Sequence, residues 1–265
     1  MKFLLAEFAR RKTNRRGVLK LRSFVTPKTF ADELARISLR VVAAWDGELA
    51  AIERTYSTTL DGMTRDTAAD LGAQIEDIGQ AVNRLILTLT PSLRAWALRV
   101  EKYSREKWAG AVLSGTGVDL GTILHSGDVT ETLETVVARN VALIRDVSAQ
   151  AQGRISDSVF RGLQKRSAAV EVAKEIREAT GMARDRSIRI AGDQSKKLTS
   201  KLDQERQQQA GLEKFEWVHG GSQNPRPEHE ELDGQIFSYA EPPSSLPGEE
   251  INCSCRAGPV LSLDD

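Results

Sequence analysis

Cys253, Cys255, His219 and His229 are the residues of this chain best equipped to bind a ligand or react. In an extended segment residues i and i+2 face the same way, so the Cys253-x-Cys255 spacing lets both sulfurs address one point. Joined by His219 and His229, they would make a Cys2His2 zinc site, a clip suited to a stretch with few apolar residues. Two other arrangements use the same residues. One is a pair of reduced thiols with histidines that fix turns by hydrogen bonds. The other is a Cys253–Cys255 disulfide, which closes a very small, strained ring.

The same stretch touches enzyme chemistry at one point. His229-Glu230-Glu231 formally matches the H-x-E of zinc deaminases, whose glutamate shuttles protons. That chemistry takes a Pro-Cys-x-x-Cys helix start, where this chain has Asn252-Cys253-Ser254-Cys255. Arg226 and His229 around a turn would suit acid–base work on phosphate, as in a nuclease, but no acidic metal cluster accompanies them. A zinc-dependent enzyme acting on nucleic acid is therefore the alternative to a binding protein without catalytic residues. Ser114-Gly115-Thr116-Gly117 is glycine-rich, yet no Lys-Ser/Thr follows and no strand precedes, so it reads as a loop. His125, in the same loop, has no second ligand nearby and receives no role.

The residues around the candidate ligands must hold them in place. Residues 215–219 and 235–239 alternate as strands do, and Leu232-Asp233-Gly234 closes them into a small antiparallel pair. Asn224-Pro225-Arg226-Pro227 is a rigid turn between them, and Pro242, Pro243 and Pro247 mark an extended loop that leads to Asn252. Arg226 is expected to bond backbone carbonyls or Asp233, and Trp217 to be the core of the sheet. The order Trp217, Arg226, His229, Leu232-Asp233-Gly234, Phe237, a Pro-rich turn, then Asn252-Cys253-Ser254-Cys255-Arg256 resembles the end of the Mu F-like phage head morphogenesis (minor head protein) family. The motif covers about the last fifth of the chain, with helices from roughly Ser156 in the same family domain. One departure is that many members carry His-Pro where this chain has Glu250-Ile251. The resemblance implies a minor head protein of a tailed phage or prophage, made in the bacterial host cytoplasm and carried in the virion. Its implied partners are the portal protein, the major capsid or scaffolding protein, and packaged DNA.

Upstream, the chain reads as helices. Leu34, Ile37, Val41, Trp45, Leu49, Ile52 and Tyr56 step by three and four from about Thr29, and Leu71, Ile75, Ile78, Val82, Leu85 and Leu89 repeat the stripe. Thr58 to Asp66 separates them, with Asp66 or Thr67 as the next cap. Pro91 opens a third helix to about Trp108, and three antiparallel helices are the natural packing. Five glycines between Gly110 and Asp128 mark a linker. A helix from Thr130 to about Gly153 follows, then a turn at 156–163 and a helix from Ser167 that stops at Thr180-Gly181. A polar helix from about Ala183 to Gln209 has few apolar positions, so its surface is expected to face water or a partner. Arg184, Arg186 and Arg189 crowd its first turns, which calls for an anionic partner or salt bridges.

The predicted fold is mainly α, with a small β-rich, Pro-rich C-terminal module. Its parts are a basic arm (1–28), an N-terminal helical domain (29–110), a Gly-rich linker (111–128) and a domain over 129–265, with helices to 209 and the β module at 213–260. A chain of 265 residues with 40% apolar side chains can build such cores. Two cysteines exclude a secreted disulfide framework, no run is long and apolar enough for a membrane span, and the N-terminus lacks the layout of a secretory signal. A soluble protein of the cell interior is expected. Net charge is zero, but unevenly spread. Lys2, Arg10, Arg11, Lys12, Arg15, Arg16, Lys20, Arg22 and Lys28 face only Glu7 in the first 28 residues, whereas from Glu213 onward eleven acidic residues face three basic ones. If DNA is contacted, Arg10 to Arg22 is the expected place, without sequence preference and sensitive to salt.

Overall fold

The computed structural model describes residues 3–62, 65–221, 226–243 and 245–264, without the side chains of residues 65–67. Lys2, the cap expected at Asp66 or Thr67, and the Asn224-Pro225 half of the expected turn lie outside what is described. The fold is mainly α with one small antiparallel sheet. Its elements are α1 (Leu5–Thr13), β1 (Val18–Lys20), α2 (Lys28–Gly62), α3 (Arg65–Thr88), α4 (Thr90–Thr116), a 3-10 turn (Ser126–Val129), α5 (Thr130–Lys165), α6 (Ala169–Gln209), β2 (Lys214–Val218), α7 (Pro227–Glu231), β3 (Ile236–Ser238) and β4 (Arg256–Ser262). No described helix is long and apolar enough to cross a membrane.

The chain divides into two compact units, one of residues 31–94 and 137–191, the other of residues 1–30, 95–136 and 192–265. The first is built on the stripes read from the sequence: Leu34, Ile37, Val41, Trp45, Leu49, Ile52 and Tyr56 are all buried, as are Leu71, Ile75, Ile78 and Val82. Ile86 takes the buried place expected for Leu85. Val137, Ile144, Val147 and Ile176 complete the core, and the Trp45 indole N–H donates to Ser148 Oγ at 3.0 Å. Residues 29–110 are thus not a domain by themselves. Amphipathic stripes specify only that a partner stripe exists, and here partners come from beyond residue 137. The arginine crowding is met locally, with Arg186 paired to Asp146 at 2.6 Å and Arg184 to Asp46 at 3.9 Å.

α2 ends at Gly62 and α4 just before Gly117 as the glycines suggest, but helices run through Gly110, Gly153 and Gly181. Gly181 lies inside α6 without a positive φ, and buried Ile176, Ala179 and Ala183 on either side outweigh the roughly 1 kcal/mol that an interior glycine costs. α4 continues through Gly110 and Gly115, and a side chain at Gly115 would strike Leu21.

In the other unit the expected basic arm is part of the core. Leu5, Ala9 and Leu21 sit in one apolar cluster with Trp108, Val112, Val118, Leu120 and Leu124, so neither 3–26 nor the expected linker after 116 is loose chain. The sheet order is β1-β4-β2-β3, all antiparallel. β2 and β3 pair as the sequence suggests, with Phe215 opposite Phe237. β4 and β1 were not foreseen, and they bring the basic head to the acidic tail: Lys20 Nζ lies 2.8 Å from Glu216 Oε1, and the Gly17 N–H donates to Asp264 Oδ1 at 2.8 Å.

The last turns of α6 do not face water. Thr199, Asp203, Gln204, Arg206 and Gln207 are buried, and polar side chains survive burial only when bonded. Gln207 Nε2 donates to Asp203 Oδ2 at 3.0 Å and Ala257 O at 2.9 Å, while its oxygen accepts from Tyr239 Oη at 2.7 Å. Arg206, fully enclosed, donates to Glu101 Oε1 (2.9 Å), His125 O (2.8 Å) and Asp128 Oδ2 (3.3 Å). This amide and guanidinium scaffold fixes the helix against which the cysteine-bearing segment lies.

Candidate functional site

The candidate ligands arrive on two short pieces of chain. Pro227 starts α7, where a missing N–H costs nothing, and the helix buries His229. Cys253 and Cys255 sit on the extended approach to β4, buried with Phe215, Trp217 and Ala257. The backbone before them is held hard: Asn252 has φ 60°, and its N–H donates to Asp193 Oδ1 at 2.6 Å. A side chain at Gly220 would collide with the backbone of Ser254, so only glycine admits this close approach of the two segments. The i, i+2 argument holds, for both sulfurs reach the same imidazole nitrogen. His229 Nδ1 is 3.6 Å from Cys253 Sγ and 3.7 Å from Cys255 Sγ.

The far side of the ring is also addressed. His229 Nε2 lies 3.5 Å from Glu250 Oε1, Glu250 Oε2 lies 3.1 Å from Arg226 Nε, and Arg226 also donates to Ile251 O at 3.0 Å. Arg226 therefore takes the carbonyl-binding role expected of it, with Glu250 rather than Asp233 as its acid. The Trp217 ring meets the imidazole edge-on, centroids 5.1 Å apart. Asp233 Oδ1 accepts the His219 N–H at 2.7 Å, and Gly234, at φ 76°, donates its N–H to Trp217 O at 2.8 Å. These bonds close the hairpin.

Among the described residues the ligand cluster is His229, Cys253 and Cys255, with ligand atoms within 4.8 Å of one another. His219 is not in it. β2 ends at Val218, and the His219 ring stays local, accepting the Gly221 N–H at 3.4 Å, so the expected Cys2His2 set is reduced to three. The Cys253–Cys255 disulfide is not formed; both cysteines are free. The hydrogen bond from Cys255 draws the Cys253 thiol down to about 5, and the same bond with burial raises that of Cys255. The deaminase arrangement does not arise: Glu231 is exposed and the cysteines stand on extended chain rather than at a helix start.

A cavity of about 140 Å³ opens beside the cysteines, lined by Lys196, Asp203, Cys253, Cys255 and Arg256 among others. Lys196 Nζ lies 2.8 Å from Ser254 Oγ, and Arg256 Nε is buried with no hydrogen-bond partner among the described residues. Burial pushes the Asp203 carboxyl up to about 7, the Gln207 bond and the Arg256 charge opposing. Sequence reading missed Asp203, Arg206, Glu250 and Lys196, since nothing in a polar helix or acidic loop signals which charges will be enclosed. Of the expected nucleic-acid contacts, Arg11, Lys12, Arg15, Arg16, Lys20 and Arg22 are exposed and Arg10 is half-buried.

The fold and site define a helical protein that ends in a small sheet clasped by one histidine and two cysteines. Residues 153–258 match the phage Mu protein F like protein family. Over 153 residues it is 34% identical to an uncharacterized protein of Haemophilus influenzae, an alignment that takes in 57% of this chain and 34% of that relative. The chain thus spans about a third of the length of the curated relative it matches. No solved structure matches it significantly.

Proposed function

We propose that this chain is a minor head protein of a tailed phage or prophage. It acts in head assembly by binding the portal and the inner face of the capsid, and it resides in the virion. The observation that carries this reading is the Mu F-like match over 153–258, which contains His229, Cys253 and Cys255. The reading is of a binding protein without turnover. The exposed cations Arg11, Lys12, Arg15, Arg16 and Arg22 supply a surface for packaged DNA, held without sequence preference.

Co-expression of the full chain with the portal protein encoded beside it, followed by affinity capture, tests the reading. Portal should be retained at low and moderate salt. A well-folded chain that captures neither portal nor capsid protein would contradict it. Turnover of a nucleic-acid substrate, lost in Glu231→Gln, would instead support the zinc-dependent enzyme.

A further inference from the structure

The imidazole of His229 presents a single lone pair at Nδ1, yet two sulfurs stand at nearly equal distance from it, 3.6 and 3.7 Å. A hydrogen bond from one thiol would use that lone pair, and the hydrogen bond between the two cysteines does not by itself call for equal distances to the nitrogen. A metal ion between the three atoms explains both distances. Zinc bonds of about 2.3 Å to sulfur and about 2.0–2.1 Å to nitrogen, opened to a tetrahedral angle, place N and S about 3.6 Å apart. The surroundings suit such an ion. All three ligand residues are buried. His229 Nε2, buried and without a well-formed hydrogen bond, faces Glu250 at 3.5 Å. A carboxylate behind a ligating histidine fixes the ring and strengthens the donor nitrogen.

We propose that His229, Cys253 and Cys255 bind one zinc ion as a three-ligand Cys2His site, with Glu250 as the residue that positions His229 and the fourth coordination place filled by solvent. The ion joins α7 to the approach to β4, and so locks both sides of the β2–β3 hairpin to the terminal strand. Zinc is favoured over harder cations because two of the three donors are sulfur. The 3.5 Å between Glu250 Oε1 and His229 Nε2 makes Glu250 a partner of the ligand. The proposal does not depend on the head-assembly reading, since it is read in metal content and not in partner capture.

The test is metal analysis of the full chain purified from zinc-supplemented cells, with cobalt substitution in parallel. The expected result is about one zinc per chain, and a cobalt form with thiolate-to-cobalt charge-transfer absorption. Cys253→Ser, Cys255→Ser and His229→Ala should lose the metal, and His219→Ala should keep it. Glu250→Gln should weaken zinc binding about 10–100-fold while keeping the charge-transfer band. Should the ligand variants fail to fold, the wild-type chain still decides: a chelator should release its zinc and expose two alkylatable thiols. Folded wild-type chain that carries no zinc and gives no charge-transfer band with cobalt overturns the proposal. Loss of zinc in His219→Ala overturns the three-ligand assignment.

Discussion

In the unit of residues 31–94 and 137–191, the buried polar side chains are small, such as Ser38, Thr59, Asn140, Ser148 and Ser187, and they are scattered through an apolar core. In the unit that carries the candidate site, Glu101, Asp203, Gln204, Arg206, Gln207 and His229 are enclosed. An apolar stripe is held by non-directional burial and tolerates small changes of shape. A polar core holds only if each donor meets its acceptor, and a half-satisfied network is worse than none. The first kind of core holds helices together, and the second surrounds three ligand atoms that lie within 4.8 Å of one another.

The comparison breaks most visibly at Arg206. Arg206→Met should cost about 3–5 kcal/mol in urea unfolding, because Glu101 stays buried with its main partner gone. Arg206→Lys should recover only part of it, since one ammonium cannot reach Glu101, Asp128 and His125 O together. In the apolar unit Ile52→Ala should cost about 2–5 kcal/mol, but the conservative Ile52→Val only about 0.5–1.5. If Arg206→Lys proves milder than Ile52→Val, the two cores do not differ as argued.

Asp203 sharpens the contrast through pH. Its folded pKa, about 7 against an ordinary 3.8, means the folded state holds a proton that the unfolded state has lost. Its contribution is therefore fully present below about pH 4 and is lost as pH rises toward 7. Asp203→Asn should flatten that fall, by on the order of 2 kcal/mol in unfolding free energy between pH 5 and 8. An unchanged slope would mean the carboxyl is solvated. The smallest effect belongs to the surface. Arg15→Glu with Arg16→Glu should shift stability by less than about 0.5 kcal/mol while weakening salt-sensitive retention on DNA.

The apolar unit was largely legible because periodicity is local: seven residues of α2 named from spacing alone are all buried. What periodicity cannot say is which stripes meet, and the chain's return at 137 was missed for that reason. In the site, Cys253, Cys255 and His229 were legible from residue type and the i, i+2 rule. His219 was not separable from them, since both histidines lie in the same Pro-rich stretch and only the end of β2 at Val218 sets one apart. β4 was hidden because Pro259 and Gly258 interrupt its pattern, though Pro259 sits opposite Phe215 within the sheet. Arg206 and Glu101 stand 105 residues apart, and no sequence pattern couples charges at that distance.

Hydrogen exchange of the full chain, with and without a zinc chelator, addresses the contrast most directly. The account predicts that amides of β2, β4 and α7 lose protection when metal is removed, while those at 34–56 and 71–86 exchange as before. Uniform loss across both units, or no change around Cys253 and Cys255 in zinc-supplied protein, would contradict it.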